Sequence, residues 1–369
     1  MAISGTLTRA VRLLLLVFLA SPGWAQEKGW ETEWRKILAG AKKEGKVVLR
    51  APSDPVLRRE LPKEFKRKYG IVLEYLVGRS SEVAAKLRLE RRVGINSMDV
   101  FFGGIGTISS VLYADKMLDP LKPGLILPDV LKGSNWKKGK LWFSDPDGKY
   151  ALRLNNSIAD LLEINTRHVK PEDLKSVRDL LHPKWKGRIA LFDPTVPGTG
   201  IRTASAFYAL LGEEFVRRLY IDQKPVMTRK RRQLADWLAR GTYPLVFGVP
   251  PREIERLKDD GFPVAAIYSF PDFGGILQAG SGIVTLINKA PHPNAARLFI
   301  NWIASRDGLG FYSRVNRAVT TRSDLDESFL PAEQIPRPGQ SYFDNSDWHY
   351  SITTKTDVRL RMKKILKKY

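Results

Sequence analysis

Residues 46–104 decide the fold: the segment opens KVVLRAPSDP (Lys46–Pro55) and closes DVFFGG (Asp99–Gly104). Lys46–Arg50 is an apolar run of strand length, broken by Ala51-Pro52-Ser53-Asp54-Pro55. The spacing predicts a helix over 56–68, a strand over Ile71–Val77, a helix over 81–92 and a strand over Asp99–Phe102 that stops at Gly103-Gly104. Strands alternating with helices at this spacing imply an α/β unit with a largely parallel sheet covered on both faces. In such sheets binding sites gather beyond the C-terminal strand ends, so the residues just after each strand are the ones to watch.

Upstream, residues 31–44 put Trp34, Ile37, Leu38 and Ala41 on one helical face, and Gly45 stops that helix. Downstream the same rhythm restarts. Arg188–Phe192, Pro225–Met227, Tyr243–Gly248 and Val264–Tyr268 read as strands, alternating with helices over 200–211, 230–240 and 251–259. Lys149–Asn155 is an extended link between the units, and Gly282–Ile287 is a strand leading to helices near 293–304 and 306–315. The chain therefore leaves a first lobe, builds a second and returns, with two linking strands as a hinge. The expected division is 1–25 as a leader, 26–150 as the first part of lobe one, 151–281 as lobe two, and 282–369 as a return to lobe one plus a C-terminal helical tail.

At ~150 residues per domain, two domains suit a chain of 369 residues. Its 61 Lys and Arg stand against 39 Asp and Glu, a formal charge of +22, and Cys is absent. The absence of Cys excludes disulfides, thiolate nucleophiles and Cys-ligated metal. The basic excess first suggests nucleic acid, but the N-terminus argues against it. Arg9 and Arg12 precede the apolar run Leu13–Ala20, and Gly23 and Ala25 supply small residues three and one places before a cut. That pattern is a secretory signal peptide cleaved after Ala25, which sends the protein to the periplasm, where little nucleic acid is met.

The loops offer anion chemistry. Gly78-Arg79-Ser80-Ser81 sits between a strand and a helix: Ser80 or Ser81 is a good N-cap, and the first-turn amides with the Arg79 guanidinium can hold an anion. Capping alone explains such a stretch as well. The second unit repeats the arrangement in Gly198-Thr199-Gly200-Ile201-Arg202, where the glycines allow close approach, Thr199 caps and Arg202 projects from the first turn. Ser53, Asp54, Gly104, Thr107 and Gly248, all after strands, are further candidates for the rim. Gly104-Ile105-Gly106-Thr107-Ile108-Ser109 departs from a dinucleotide fingerprint and reads as a tight turn into a helix. Searches for a nucleophile elbow, a phosphate-binding P-loop, a zinc HExxH helix or a calcium loop find nothing. His168, His182, His292 and His349 lack ligand spacing, so no cofactor, metal or catalytic residue is expected.

The stretches GRSSEVAAKLRLER (78–91), DVFFGG (99–104), DLLHPKWKGRIALFDPTVPGTG (179–200), RRQLADWLARGTYPLVFG (231–248), GSGIVTLINKAPHPNAARLFINWIASRDGLGFY (280–312) and RAVTTRSDL (317–325) occur in order over most of the chain. Together they resemble the extracellular solute-binding proteins of ABC importers, in the iron(III)-type branch. The resemblance implies the type II periplasmic-binding-protein fold: two α/β lobes, each a mainly parallel sheet flanked by helices, joined by two hinge strands. It implies closure around one small ligand, delivery to a membrane permease, and a monomer rather than an enzyme. Iron-binding members use adjacent tyrosines in lobe two, and no Tyr-Tyr pair occurs here. The expected ligand is therefore a small organic anion, with ferric ion, or an enzymatic activity on the same scaffold, as alternatives. Residues 355–369 hold seven Lys and Arg and one Asp among spaced apolar residues, the pattern of an amphipathic helix docked on lobe one with a basic face outward.

Overall fold

The computed structural model describes residues 23–196 and 198–367; of the expected leader 1–25, residues 1–22 lie outside them. The first helix, α1 (Gly23–Glu44), begins earlier than its apolar face suggests, so a cut after Ala25 falls in its first turn. Among the described residues no helix is long and apolar enough to cross a membrane.

Lobe one follows the expected rhythm closely: β1 (Lys46–Arg50), α2 (Pro55–Tyr69), β2 (Val72–Leu76), α3 (Ser80–Arg92) and β3 (Val100–Gly103). A short α4 (Ile105–Thr107), β4 (Leu118–Asp119) and α5 (Pro128–Leu131) complete its first pass. Helix α2 shows why the local reading succeeds. Asp54 caps it by accepting from the Leu57 amide at 2.7 Å, Pro55 sits in its first turn, and Gly70 ends it at φ 73°. Leu57, Leu61 and Phe65, four residues apart, form its buried stripe. Phe65 meets Phe299 and Trp302 at 5.4 and 5.3 Å between ring centroids, contacts worth ~0.5–1.5 kcal/mol each beyond burial.

The chain crosses to lobe two through β5 (Leu152–Arg153) and β6 (Ser157–Ala159). Lobe two is β7 (Leu162–Asn165), β8 (Ile189–Phe192), α6 (Thr199–Arg217), β9 (Val226–Thr228), α7 (Arg231–Arg240), β10 (Leu245–Phe247), α8 (Pro251–Asp259) and β11 (Val264–Ile267). It returns through β12 (Ser269–Phe270), β13 (Gly274–Gln278) and β14 (Ile283–Ile287) to α9 (Pro293–Ala304) and α10 (Arg306–Asn316). The sheets run β2-β1-β3-β14-β4 and β11-β7-β10-β8-β9. Pairing is parallel within β2-β1-β3 and β10-β8-β9. The remaining strands join antiparallel, because β14 re-enters from the far lobe and β7 enters from the hinge.

The linking strands pair with each other: Leu152 opposite Val284, Arg153 opposite Ile283, and Ile158 opposite Leu277. A third crossing reinforces them. After α10 the chain bridges Thr320 to Asn155, and β15 (Phe343–Asp344) pairs with β13. Arg153, fully buried and stacked 4.2 Å from the Trp142 ring, donates to both Asp344 oxygens at 2.9 and 2.7 Å. It lies inside the hinge rather than on an exposed edge or facing the cleft.

The tail corrects an expectation. Helix α11 (Trp348–Ile352) lies against α4, but α12 (Thr354–Lys367) packs along α6 of lobe two, not on lobe one. Its Val358 and Met362 are fully buried in the lobe-two core. The amphipathic pattern was legible; which apolar groove would receive it depends on where the third crossing delivers the chain.

Candidate ligand-binding cleft

The segments that follow β1 and β10 meet from lobe to lobe through Asp54 and Arg252. In lobe one, Arg50 at the end of β1 is buried and donates to the carbonyls of Phe102 and, at 2.7 Å, Gly78. It pins the turn that carries Arg79 to the strand ends. Burial lowers the Arg50 guanidinium to about 10. Arg79 occupies the N-cap position of α3 without a side-chain cap bond, so neither Ser80 nor Ser81 caps as expected. Its guanidinium projects into solvent, with Glu82 a loose neighbour at 3.5 Å. Gly104 stands at the N-cap of α4, and Thr107 lies inside a helical run that passes from α4 into a π-helical stretch, Ile108–Tyr113; neither makes a side-chain cap bond.

Asp54 is not a free acceptor on the rim. One oxygen caps α2, and the other pairs with Arg252 Nη1 of α8 at 2.5 Å, from lobe to lobe. Arg252 Nη2 also donates to the Val315 carbonyl at 2.5 Å, and Arg317 pairs with Glu255 at 3.0 Å. These contacts clasp α8 to lobe one along one flank of the cleft; Ser53 is exposed beside them.

Lobe two rearranges its expected roles more deeply. Gly198 takes φ 143° and ψ −157° at the N-cap position of α6, a conformation that favours glycine. Gly200 packs so tightly that a Cβ would collide with the Phe192 carbonyl, so this glycine serves helix-to-strand packing rather than ligand approach. Thr199 makes no cap bond; its Oγ1 is buried without a protein partner, and a Cβ on Gly248 would stand 2.8 Å from it. The Gly248 amide is already engaged, donating to Glu163 Oε2 at 3.0 Å. Glu163 is fully buried beside Asp160, and burial, then repulsion from Asp160, pushes its carboxyl well above the usual range.

Arg202 turns inward to this acidic pair instead of projecting into the cleft. Its Nη2 donates to the Asp160 carbonyl at 2.8 Å and meets Asp160 Oδ1 at 3.3 Å, and its Nη1 donates to Gln278 Oε1 at 3.0 Å. The cation facing outward from the mouth of α6 is Arg231, which opens α7. It lies beside Gly198, 5.5 Å from the Phe192 ring centroid, and makes no ion pair among the described residues. Desolvation, then repulsion from Arg202, hold its guanidinium below the usual range; Asp160 opposes this, and Arg79 from lobe one adds repulsion. Arg231 escaped the sequence reading because it follows a short strand in a basic run, Arg229–Arg232, where nothing marks one cation above the others.

Behind these cations a cavity of about 220 Å³ sits against the hinge. Asn155, Ser157, Gln278, Ser281, Tyr312 and Asn316 line it with neutral hydrogen-bonding groups. Asn155 Oδ1 is buried without a partner. The Tyr312 hydroxyl accepts from Asn316 Nδ2 at 3.2 Å and, at 3.4 Å, from Asn155 Nδ2, leaving its proton free to donate. A cavity of about 320 Å³, at the edge of the lobe-two sheet beside Tyr268 and Tyr342, shares no lining residue with the strand-end loops. The isolated tyrosines of lobe two serve packing. Tyr208 donates to Glu213 at 3.2 Å, Tyr220 is buried in the core, and Tyr243 stacks on Trp237.

Two lobes around a polar hinge cavity, with basic loops at the mouth, describe a protein that captures a solute. Residues 60–328 match the bacterial extracellular solute-binding proteins, and the chain belongs to that family. A protein of Haemophilus influenzae, itself uncharacterised, is 24% identical over 284 residues, 74% of this chain and 76% of its own length. Among solved structures, the periplasmic binding protein AfuA from Actinobacillus pleuropneumoniae, with fructose-6-phosphate bound, matches with a TM-score of 0.60 at 20% identity, covering 86% of this chain and 96% of that one. Iron-bound HitA from Pseudomonas aeruginosa matches at 0.64 and 17% identity, covering 85% and 99%. These likenesses establish the two-lobed fold shared with periplasmic binding proteins, and the chain is a solute-binding protein of the kind that serves ABC importers.

Proposed function

We propose that this protein is exported to the periplasm, its leader cut after Ala25, and that as a monomer it captures a small organic anion between its lobes and hands it to the permease of an ABC importer. The observation that carries the reading is Arg231: a guanidinium that makes no ion pair among the described residues, beside the unpartnered Thr199 hydroxyl and within reach of repulsion from Arg79 of lobe one. Cations approaching from both lobes oppose closure until an anion lies between them, so the ligand stabilises the closed state by its differential contacts. The neutral cavity at the hinge suits hydroxyl or amide groups on the body of the same ligand. AfuA, with its bound sugar phosphate, offers a precedent for an anionic cargo on this fold.

Native mass spectrometry of protein purified from its own host tests the reading. A co-purifying molecule with a phosphate or carboxylate group supports it, and a neutral solute or a bare ferric ion overturns it.

A further inference from the structure

We propose that the cavity at the hinge is a polyol subsite, in which Asn155 and Tyr312 read hydroxyl groups on the ligand. The cargo is then a hydroxylated organic anion, such as a sugar phosphate or a sugar acid, and not a bare oxyanion. This deepens the reading that the cleft takes an anion and rests on it for the charged end of the ligand alone.

The cavity encloses about 220 Å³, room for roughly seven waters at ~30 Å³ each. None of the residues that line it carries a charge, so an ionised group buried there would lack a counter-ion, at a far higher cost than a hydrogen-bonded hydroxyl. Its walls come from the linking strands, through Asn155, Ser157 and Gln278, and from α10, through Tyr312 and Asn316. Asn155 is held on three sides. Its backbone bridges to Thr320, a Cβ at Gly282 would collide with its amide, and its Nδ2 donates to the Tyr312 hydroxyl at 3.4 Å.

The hydrogen bonds left unmade decide the chemistry. Asn155 is only 7% exposed, yet its Oδ1 has no partner. Tyr312 already accepts from both asparagines, so what it offers a ligand is its own proton, which a phenol keeps at neutral pH. Ser157 Oγ accepts from the Val319 amide at 3.2 Å and likewise has a proton to give. Gln278 Oε1 accepts from Arg202 Nη1 at 3.0 Å, which leaves the Gln278 amide nitrogen as its open end. Donors on three side chains thus stand with one buried acceptor that lacks a donor. A hydroxyl donates and accepts through one atom and meets both needs. An ionised carboxylate only accepts and leaves Asn155 unmatched, whereas an ammonium only donates and leaves the three donors unmatched. The last torsion of an asparagine is soft, so the Asn155 amide can turn its oxygen toward an entering hydroxyl.

Calorimetric titration of the purified protein with two hydroxylated anions, fructose 6-phosphate and gluconate, two anions without a hydroxylated carbon, inorganic phosphate and malonate, and the neutral polyol sorbitol tests this. Wild type is expected to bind fructose 6-phosphate about a hundredfold more tightly than inorganic phosphate, or gluconate about a hundredfold more tightly than malonate. Tyr312→Phe and Asn155→Leu are each expected to cut that preference about tenfold, with affinity for the bare anion within twofold of wild type and near-UV circular dichroism unchanged. If Asn155→Leu does not fold, Tyr312→Phe, which removes a single oxygen, decides. Equal affinity for hydroxylated and bare anions overturns the subsite. Variants that weaken both classes alike, or neither, overturn the role of Asn155 and Tyr312. Binding of sorbitol with no anion bound keeps the subsite and overturns the anion reading of the cleft. Failure to bind any of the five overturns the subsite, and the co-purified ligand then judges the anion reading separately.

Discussion

Two helix starts carry nearly the same lettering, Gly78–Ser81 ahead of α3 and Gly198–Arg202 opening α6, and the fold uses them in opposite ways. At α3 the arginine projects into solvent, held only loosely by Glu82. At α6 the arginine is buried and bonded to the hinge, and Arg231 from the next helix supplies the outward cation in its place. The difference lies in what each first turn packs against. The α3 turn leaves Arg79 exposed, whereas the α6 turn lies against Asp160, between β6 and β7, which would be buried without a cation. A motif thus places a side chain near a strand end, but the neighbouring element decides whether that side chain meets ligand or core.

The largest expected effect separates the two arginines. Arg202→Ala leaves Asp160 buried without its cation and should destabilise the protein by ~3 kcal/mol, whereas Arg79→Ala should change stability by less than ~0.5 kcal/mol. Urea denaturation of both variants checks this; equal midpoints would break the comparison. Next, Arg231→Ala should weaken binding of inorganic phosphate or malonate about tenfold, read by calorimetry, with the urea midpoint unmoved.

Arg252→Ala should release Asp54 and the Val315 carbonyl together. The lobes then open further, seen as a larger radius of gyration by small-angle X-ray scattering, for a stability loss of ~1 kcal/mol. The smallest effect concerns the acid beneath Gly248. Because the folded carboxyl of Glu163 titrates above its unfolded value, the stability it contributes is complete at low pH and falls as pH rises toward that raised value. Glu163→Gln keeps an acceptor for the Gly248 amide and should flatten this pH slope in urea titrations between pH 5 and pH 8.

Much of the architecture was legible before any coordinates. The strand–helix alternation of 46–104, the restart after 188 and the return near 282 all come from hydrophobic periodicity punctuated by Gly and Pro, which act locally. Strands β6, β13 and β15 were missed because they are short segments of the hinge, and β7 because its four residues are too few to set an alternating pattern apart from a loop. The candidate site was legible at coarser grain. Among the strand-end candidates Asp54, Gly248 and Arg202 are engaged with protein partners, while Arg231 and Tyr312, which the structure adds as candidates, carried no local signal.

The sequence by itself determined a two-lobed α/β chain that leaves its first lobe and returns to it, because periodicity, turn residues and chain order are properties of neighbours along the backbone. Only the tertiary structure decided which cations remain free, that α12 rests on lobe two, and that α8 clasps lobe one. Those outcomes depend on burial and on partners far apart in sequence, such as Arg202 with Gln278 or Arg252 with Asp54, and no local pattern encodes such meetings.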